Sequence, residues 1–243
     1  MVHKLLKNII HFLYPPRCPL CDGLLFASLA VPAKLICDGC RGKAEYVKEP
    51  ACMKCGQPLE DGTWEYCYDC RHSQRSFEQG KALWVYKTDV KDSLYRFKYQ
   101  NRREYAAYYG IELARAYGGW IQSCQIQAIV PIPLSKARLK KRGFNQAAAA
   151  ARSLGRQMGI PVYEGVLLRI RDTDVQKSLN HKERKNNLKR AFKTGRNKVQ
   201  LDCILLIDDI YTTGSTMHEA AAELKRSGVK QVYCLSISIG KGF

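Results

Sequence analysis

A short apolar run that ends in two acids constrains the fold more than any other part of this 243-residue sequence. Residues 204–207 are all aliphatic, which is typical of a strand covered on both faces in a parallel sheet. Asp208 and Asp209 follow at once, and parallel sheets bind ligands outside the carboxyl ends of their strands. The sequence therefore predicts an α/β protein with a binding site at this strand end.

A loop of small residues follows the acids and opens a predicted helix. Its hydroxyls and free backbone N–H groups at a helix N-terminus favour an anion, whereas the two carboxylates suit sugar hydroxyls or a divalent cation. We therefore predict a binding site for a phosphorylated sugar. The loop residues assigned to it are Thr212, Thr213, Gly214, Ser215 and Thr216.

Strand and helix patterns alternate through most of the chain, which favours a parallel sheet. We expect an amphipathic helix over residues 1–14, a cysteine-rich module over 15–75 and the α/β domain over 80–243. Strands are predicted over 81–86, 126–130, 203–207 and 231–237, and helices over 90–99, 102–120, 145–158 and 215–227.

Eight of the eleven cysteines form four Cys-x-x-Cys pairs, a spacing typical of zinc ribbons in a reducing compartment rather than of secreted disulfides. An interleaved arrangement, or a single site, has the same signature as two sequential sites. One or two structural zinc ions are therefore expected. The favoured sites are Cys18, Cys21, Cys37 and Cys40, then Cys52, Cys55, Cys67 and Cys70.

A basic run at residues 136–142 follows the predicted strand at 126–130, and Leu134 and Ser135 before it are assigned to the same phosphosugar site. It is interpreted as a loop that closes over a departing anion, with Arg138 and Arg142 stabilising the developing charge. The alternatives are a solvated loop or a nucleic-acid contact.

Lysine and arginine exceed acidic residues by 40 to 22, and the formal charge of +18 attracts polyanions. Residues 177–198 concentrate this charge, and aromatic and basic residues at 95–103 add stacking groups, which predicts salt-sensitive binding of single-stranded DNA. A solvated charged surface is the alternative. The nucleic-acid candidates are Lys182, Arg184, Lys185, Lys189 and Arg190.

Residues 1–14 interrupt their apolar side chains with polar ones, so they lack the apolar core of a signal peptide. No apolar run approaches the length of a membrane span, and the expected location is the cytoplasm or the inner face of the membrane as a peripheral protein. The sequence has no Walker A, His-Glu-x-x-His or Gly-x-Ser-x-Gly pattern to support NTP hydrolysis, zinc proteolysis or esterase chemistry.

The twin acids and the loop at 212–216 resemble the phosphoribosyl pyrophosphate (PRPP) signature of type I phosphoribosyltransferases. That resemblance implies their parallel-sheet fold, acids that hold the ribose hydroxyls, a loop for the 5′-phosphate, and Mg²⁺ bound with PRPP. Across nearly the whole chain the sequence resembles the ComF family of competence-associated phosphoribosyltransferase-like proteins. The cysteine pairs fit that family, as do Pro131, Pro133, Leu134, residues 142–146, Arg169, Thr173, Gln176, Leu179, Arg184, Asn187 and Phe192.

The ComF resemblance implies a bacterial protein that serves DNA uptake or processing in natural transformation, beside a helicase-like partner and recombination loaders. As an enzyme it would transfer a phosphoribosyl group to an unidentified acceptor. The alternative is a non-catalytic PRPP sensor, or a zinc-ribbon adaptor that links DNA to competence and recombination partners.

Overall fold

The computed structural model describes residues 15–25, 35–171, 191–195 and 201–240. The helix predicted over residues 1–14 lies outside the described residues. So do the five nucleic-acid candidates Lys182, Arg184, Lys185, Lys189 and Arg190.

A four-stranded sheet forms the centre of the fold, and every neighbouring pair in it is parallel. This arrangement confirms the predicted α/β architecture. In spatial order the strands are β1 (Gly80–Val85), β6 (Gln231–Ile239), β5 (Cys203–Tyr211) and β2 (Ala128–Pro131). A separate antiparallel pair consists of β3 (Leu167–Arg169) and β4 (Phe192–Thr194).

Helices cover both faces of the sheet, as parallel strands require. Side chains alternate between the two faces of each strand, so Leu205 and Ile207 enter one core and Ile204 and Leu206 enter the other. The helices are α1 (Tyr68–His72), α2 (Thr88–Tyr99), α3 (Tyr105–Ser123), α4 (Lys136–Arg142), α5 (Gln146–Met158) and α6 (Ser215–Arg226).

The two cores differ in the helices that they bury. Phe97 of α2, Tyr109 of α3 and Leu154 of α5 pack in the first core, and Met217 and Leu224 of α6 pack in the second.

The cysteine-rich segment straddles the β1 edge of the sheet. Between its two halves, Val47 donates a backbone hydrogen bond to Leu83 at 3.0 Å, and Val85 donates to Glu45 at 2.8 Å. This pairing covers an edge strand that would otherwise present free N–H and C=O groups. Cys18 therefore belongs to the first core, and Cys52 belongs to the second.

Two local features differ from the sequence predictions. The β5 strand continues through the acids to Tyr211, because its ladder with β6 extends as far as the pair Tyr211 and Ile239. The basic run predicted as a loop is helix α4, which Ser135 caps by accepting a hydrogen bond from the Arg138 backbone at 3.3 Å. Gly143 ends that helix in the left-handed conformation, with φ at 75°.

Candidate functional site

The acid pair lies near the carboxyl end of β5, where two cations from different helices approach it. Lys98 Nζ of α2 lies 2.9 Å from Asp209 Oδ1, and Arg142 Nη1 of α4 lies 3.9 Å from Asp209 Oδ2. These three side chains are only 11–13% exposed, so their charges interact more strongly than they would in water. The Asp209 backbone N–H donates to Asp208 Oδ1 at 2.8 Å.

Asp208 and Asp209 occupy different electrostatic surroundings. Burial and the adjacent Asp209 carboxylate raise the pKa of Asp208 to about 7, against the opposing influence of Lys98 and Arg169. Asp208 can therefore bind or release a proton near neutral pH. Two carboxylates beside two cations suit a ligand that brings hydroxyls and negative charge together.

The loop after β5 has a backbone that only glycine fits. Gly214 adopts a φ of 72°, and a Cβ on it would lie 2.0 Å from the hydroxyl oxygen of Tyr211. Helix α6 begins at the next residue, and Thr213 Oγ1 lies 3.0 Å from Ser215 Oγ. The first-turn N–H groups and these hydroxyls lie where the anion site is predicted, and Thr212 is exposed to solvent. We call residues 212–216 the phosphate loop.

The other predicted site residues lie on or beside α4. Arg142 approaches the acid pair, and Arg138 lies one turn earlier on the same helix. Ser135 is buried and caps the helix, which gives its side chain a structural role, and Leu134 precedes it. The structure therefore brings Arg142 to Asp209 directly.

Lys98 is the site residue that sequence reasoning missed. We grouped it with neighbouring aromatic and basic residues as a surface for DNA, but its side chain is only 13% exposed and pairs with Asp209. Phe97 is fully buried, Arg96 donates to the Leu20 carbonyl at 2.5 Å, and Arg102 pairs with Asp22 at 2.9 Å. Four of the seven residues in that group are therefore engaged within the fold, whereas Tyr95 and Tyr99 are exposed, so a DNA contact at residues 95–103 stays a prediction.

The eight paired cysteines gather into two groups, in the sequential arrangement favoured by their spacing. Within each group the sulfur atoms all lie within 4.8 Å of one another, and Cys21 to Cys37 and Cys55 to Cys67 measure 3.7 and 3.6 Å. A tetrahedral zinc site with Zn–S bonds of about 2.3 Å separates its sulfurs by about 3.8 Å. Both groups therefore fit closed, structural zinc centres.

We call residues Cys18, Cys21, Cys37 and Cys40 the first cluster, and residues Cys52, Cys55, Cys67 and Cys70 the second cluster.

Comparison with known proteins finds relatives that match nearly the full length of the chain. The DNA utilization protein YhgH of Salmonella typhimurium is 30% identical over 226 residues, covering 91% of this chain and 96% of the relative. The chain belongs to the ComF family. Competence protein F of Haemophilus influenzae and competence protein ComFC of Bacillus subtilis are each 29% identical, over 89% and 87% of this chain and 93% and 89% of their own lengths.

A family profile described as a double zinc ribbon domain matches residues 9–71 of this ComF-family chain. The match includes all eight clustered cysteines, so the profile and the sulfur geometry both support structural zinc. Among the described residues, no helix has the length and apolar character needed to cross a membrane.

Proposed function

We propose that this chain binds PRPP at the carboxyl end of β5 and serves DNA uptake or processing during natural transformation. The observation that carries the proposal is that the Asp208–Asp209 pair lies close to a helix N-terminus at one strand end, with a turn at Gly214 between them. The names of the relatives, a competence protein in two bacteria and a DNA utilization protein in a third, support the biological context.

In this proposal each part of the site meets one part of the ligand. The carboxylates of Asp208 and Asp209 accept hydrogen bonds from the ribose hydroxyls, and the phosphate loop donates to the 5′-phosphate. Lys98 and Arg142, which balance Asp209 in the structure, supply positive charge for the pyrophosphate. Arg138, on the same helix as Arg142, adds to that field.

A magnesium ion fits this site only with help from the ligand. The acid pair offers two carboxylates, and Mg²⁺ is commonly held by one or two carboxylates together with substrate phosphates and water. When bound, the ion neutralises charge on the pyrophosphate. Asp208 in its ionised form and Asp209 are the residues that would hold it.

Transfer of the phosphoribosyl group would break the bond between the anomeric carbon and pyrophosphate and form a bond to an acceptor. Negative charge grows on the pyrophosphate as it leaves, and Lys98, Arg138 and Arg142 stabilise that charge.

Single-stranded DNA is the second proposed ligand. The net charge of +18 and the cluster of nine cations against one acid in residues 177–198 favour a polyanion. We assign contacts to Lys182, Arg184, Lys185, Lys189 and Arg190. Peripheral attachment at the inner membrane face, a helicase-like partner and recombination loaders belong to the same proposal.

Calorimetry with PRPP and Mg²⁺ tests the site. We expect Asp209→Asn to weaken PRPP binding by about tenfold or more, because one hydroxyl acceptor and the partner of Lys98 are lost together. Asp202→Asn is the matched control, since Asp202 pairs with exposed Lys230 just before β5 begins. Equal PRPP affinity in wild type and Asp209→Asn would contradict the proposal.

The same preparations distinguish an enzyme from a sensor. The ion pair between Lys98 and Asp209 favours the sensor alternative, because the ligand must displace this pair to reach the acid and binding can thereby change the position of α2. Pyrophosphate release in the presence of candidate acceptors identifies an enzyme. Binding of PRPP without release identifies a sensor.

A further inference from the structure

The second cluster shares its buried surroundings with the phosphate loop. Cys52, Cys55 and Cys67 pack in the same core as Tyr211 and Met217, the residues that flank the loop. Cys18 and Cys40 of the first cluster pack in the other core, against α2 and α3. Packed side chains therefore connect the second cluster to the loop.

A hydrogen-bonded chain also joins the two places. We call residues 75–77 the clasp, because they lead from the second cluster to β1 and contact α6 on the way. The Ser76 backbone N–H donates to His218 Nδ1 at 3.1 Å, and the Ser76 hydroxyl lies 3.1 Å from the same nitrogen. The His218 backbone N–H in turn donates to the Gly214 carbonyl at 2.9 Å. The clasp thus holds the first turn of α6, the helix that begins within the phosphate loop.

Arg75 places a buried cation at this junction. Its side chain is 5% exposed, lies 3.9 Å from Asp69, and lines a cavity of about 310 Å³ together with Cys70. Its Nε and Nη2 atoms and the Tyr211 hydroxyl have no hydrogen-bond partner among the described residues. Burial raises the pKa of Tyr211 well above its usual value, and the charge of Arg75 opposes that effect.

The Arg75 guanidinium interacts with Cys70 of the second cluster. Four thiolates around one zinc ion leave a net negative charge, which compensates a buried guanidinium that would otherwise be costly. Tyr211, beside Arg75, lies directly under Gly214, so a shift of the phenol moves the loop. Metal at the second cluster would therefore favour this arrangement of Arg75, Tyr211 and Gly214.

We propose that metal in the second cluster holds the phosphate loop in its binding shape, and that Arg75 and Ser76 carry this coupling. The inference rests on the proposed function, since it concerns regulation of the same site. Coupling between two binding sites is reciprocal. PRPP must therefore tighten zinc binding at the second cluster to the same degree that zinc there tightens PRPP binding.

Competition against a zinc-specific chromophoric chelator, with full-length zinc-loaded protein, measures this coupling. With PRPP and Mg²⁺ present, we expect one of the two bound ions to gain about fivefold or more in affinity. His218→Leu, which removes the acceptor of the Ser76 backbone N–H, and Arg75→Met should still bind two ions but lose most of that gain. Arg71→Met is the matched control, because Arg71 is an exposed neighbour of Cys70 stacked on Trp64 at 4.7 Å.

Cys21→Ser assigns the effect to one cluster. Cys21 is an exposed ligand of the first cluster, so this variant leaves the second cluster intact and should keep the PRPP effect on its remaining ion. Unchanged zinc affinity in a wild type that binds PRPP overturns the inference alone, as does a full effect in both His218→Leu and Arg75→Met. Absence of PRPP binding by wild type is seen first in calorimetry and overturns the proposed function and the coupling together.

Discussion

Asp208 and Asp209 are neighbours in the chain but differ in their surroundings. Asp209 meets Lys98 of α2 and Arg142 of α4. Asp208 has a raised pKa because of burial and the adjacent Asp209 carboxylate. One strand end therefore presents an acid that is paired and an acid that titrates near neutral pH.

The titration of Asp208 predicts a pH-dependent stability. Its pKa rises from 3.8 to about 7 on folding, so between these values the folded chain holds a proton that the unfolded chain lacks. The free energy of unfolding contributed by this group therefore falls as pH rises from about 4 to about 7. Asp208→Asn should stabilise the protein relative to wild type by on the order of 1–3 kcal/mol at pH 8, and by less at pH 5.

Thermal and denaturant unfolding at pH 5 and pH 8 check this prediction. Asp61→Asn is the control, because hydrogen bonds from Thr63 lower the pKa of the exposed Asp61 and keep it ionised across this range. A difference between Asp208→Asn and wild type that does not change with pH would contradict the assignment. PRPP affinity of wild type should rise over the same interval, since the ionised carboxylate is the better hydroxyl acceptor and Mg²⁺ ligand.

At the residue scale, local signals predicted what lies in one continuous stretch. The succession of strand, acids and glycine turn could be predicted from sequence because these features follow one another within residues 203–216. Lys98 could not be assigned, since its approach to Asp209 depends on how α2 packs on the sheet. An amphipathic pattern places Lys98 on a helix but does not show that its ammonium group is buried.

At the scale of elements, the turn from β5 into α6 concentrates the steric demands of the site. Gly214 combines a positive φ with a contact that leaves no space for a Cβ above Tyr211. Gly159 also has a positive φ, of 68°, but no atom lies within 4 Å of the position of its Cβ. Substitutions at these two positions therefore distinguish the effect of backbone strain from the effect of a steric clash.

Gly214→Ala should therefore be more damaging than Gly159→Ala. Gly159→Ala adds only the strain of a left-handed alanine, about 1–3 kcal/mol. Gly214→Ala must also displace Tyr211 or the loop, so we expect a larger loss of unfolding free energy and a loss of PRPP affinity of about tenfold or more. Urea unfolding and calorimetry measure the two effects. Equal losses in both variants would show that the contact with Tyr211 is unimportant.

Helix α4 shows why a basic run is a poor guide to an element. The five cations in residues 136–142 favour a loop, although Ser135 and Gly143 are residues typical of the two ends of a short helix. The cations at its C-terminal end also interact favourably with the helix dipole. The two capping residues indicate a helix, which the charge pattern alone does not.

At the scale of the whole molecule, the fold joins two zinc clusters to one sheet. The first cluster packs on the face that carries α2 and Lys98, and the second packs on the face that carries α6 and the phosphate loop. The spacing of the cysteines predicted the clusters. Their placement on opposite faces could not be predicted, because it follows from residues 45–47 running along the β1 edge.

The charge of the whole chain predicts how strongly salt weakens its binding to DNA. Eight thiolates lower the formal charge of +18 by 8, and two zinc ions raise it by 4, which leaves +14. The logarithm of affinity for single-stranded DNA should therefore fall linearly with the logarithm of salt concentration, with a slope of about −0.7 for each phosphate neutralised.

Two triple variants separate local contacts from this overall field. In the first variant, glutamine replaces Lys182, Lys185 and Lys189, which removes three proposed contacts. In the second variant, glutamine replaces Lys43, Lys48 and Arg156, which are exposed cations with no proposed contact. Both variants lose the same charge, so a purely long-range effect would weaken binding equally. If residues 177–198 contact the strand, only the first variant should reduce the magnitude of the salt slope, by about 2. Fluorescence anisotropy with a labelled oligothymidine at several salt concentrations measures both slopes, and equal slopes in the two variants would place the DNA contacts elsewhere on the chain.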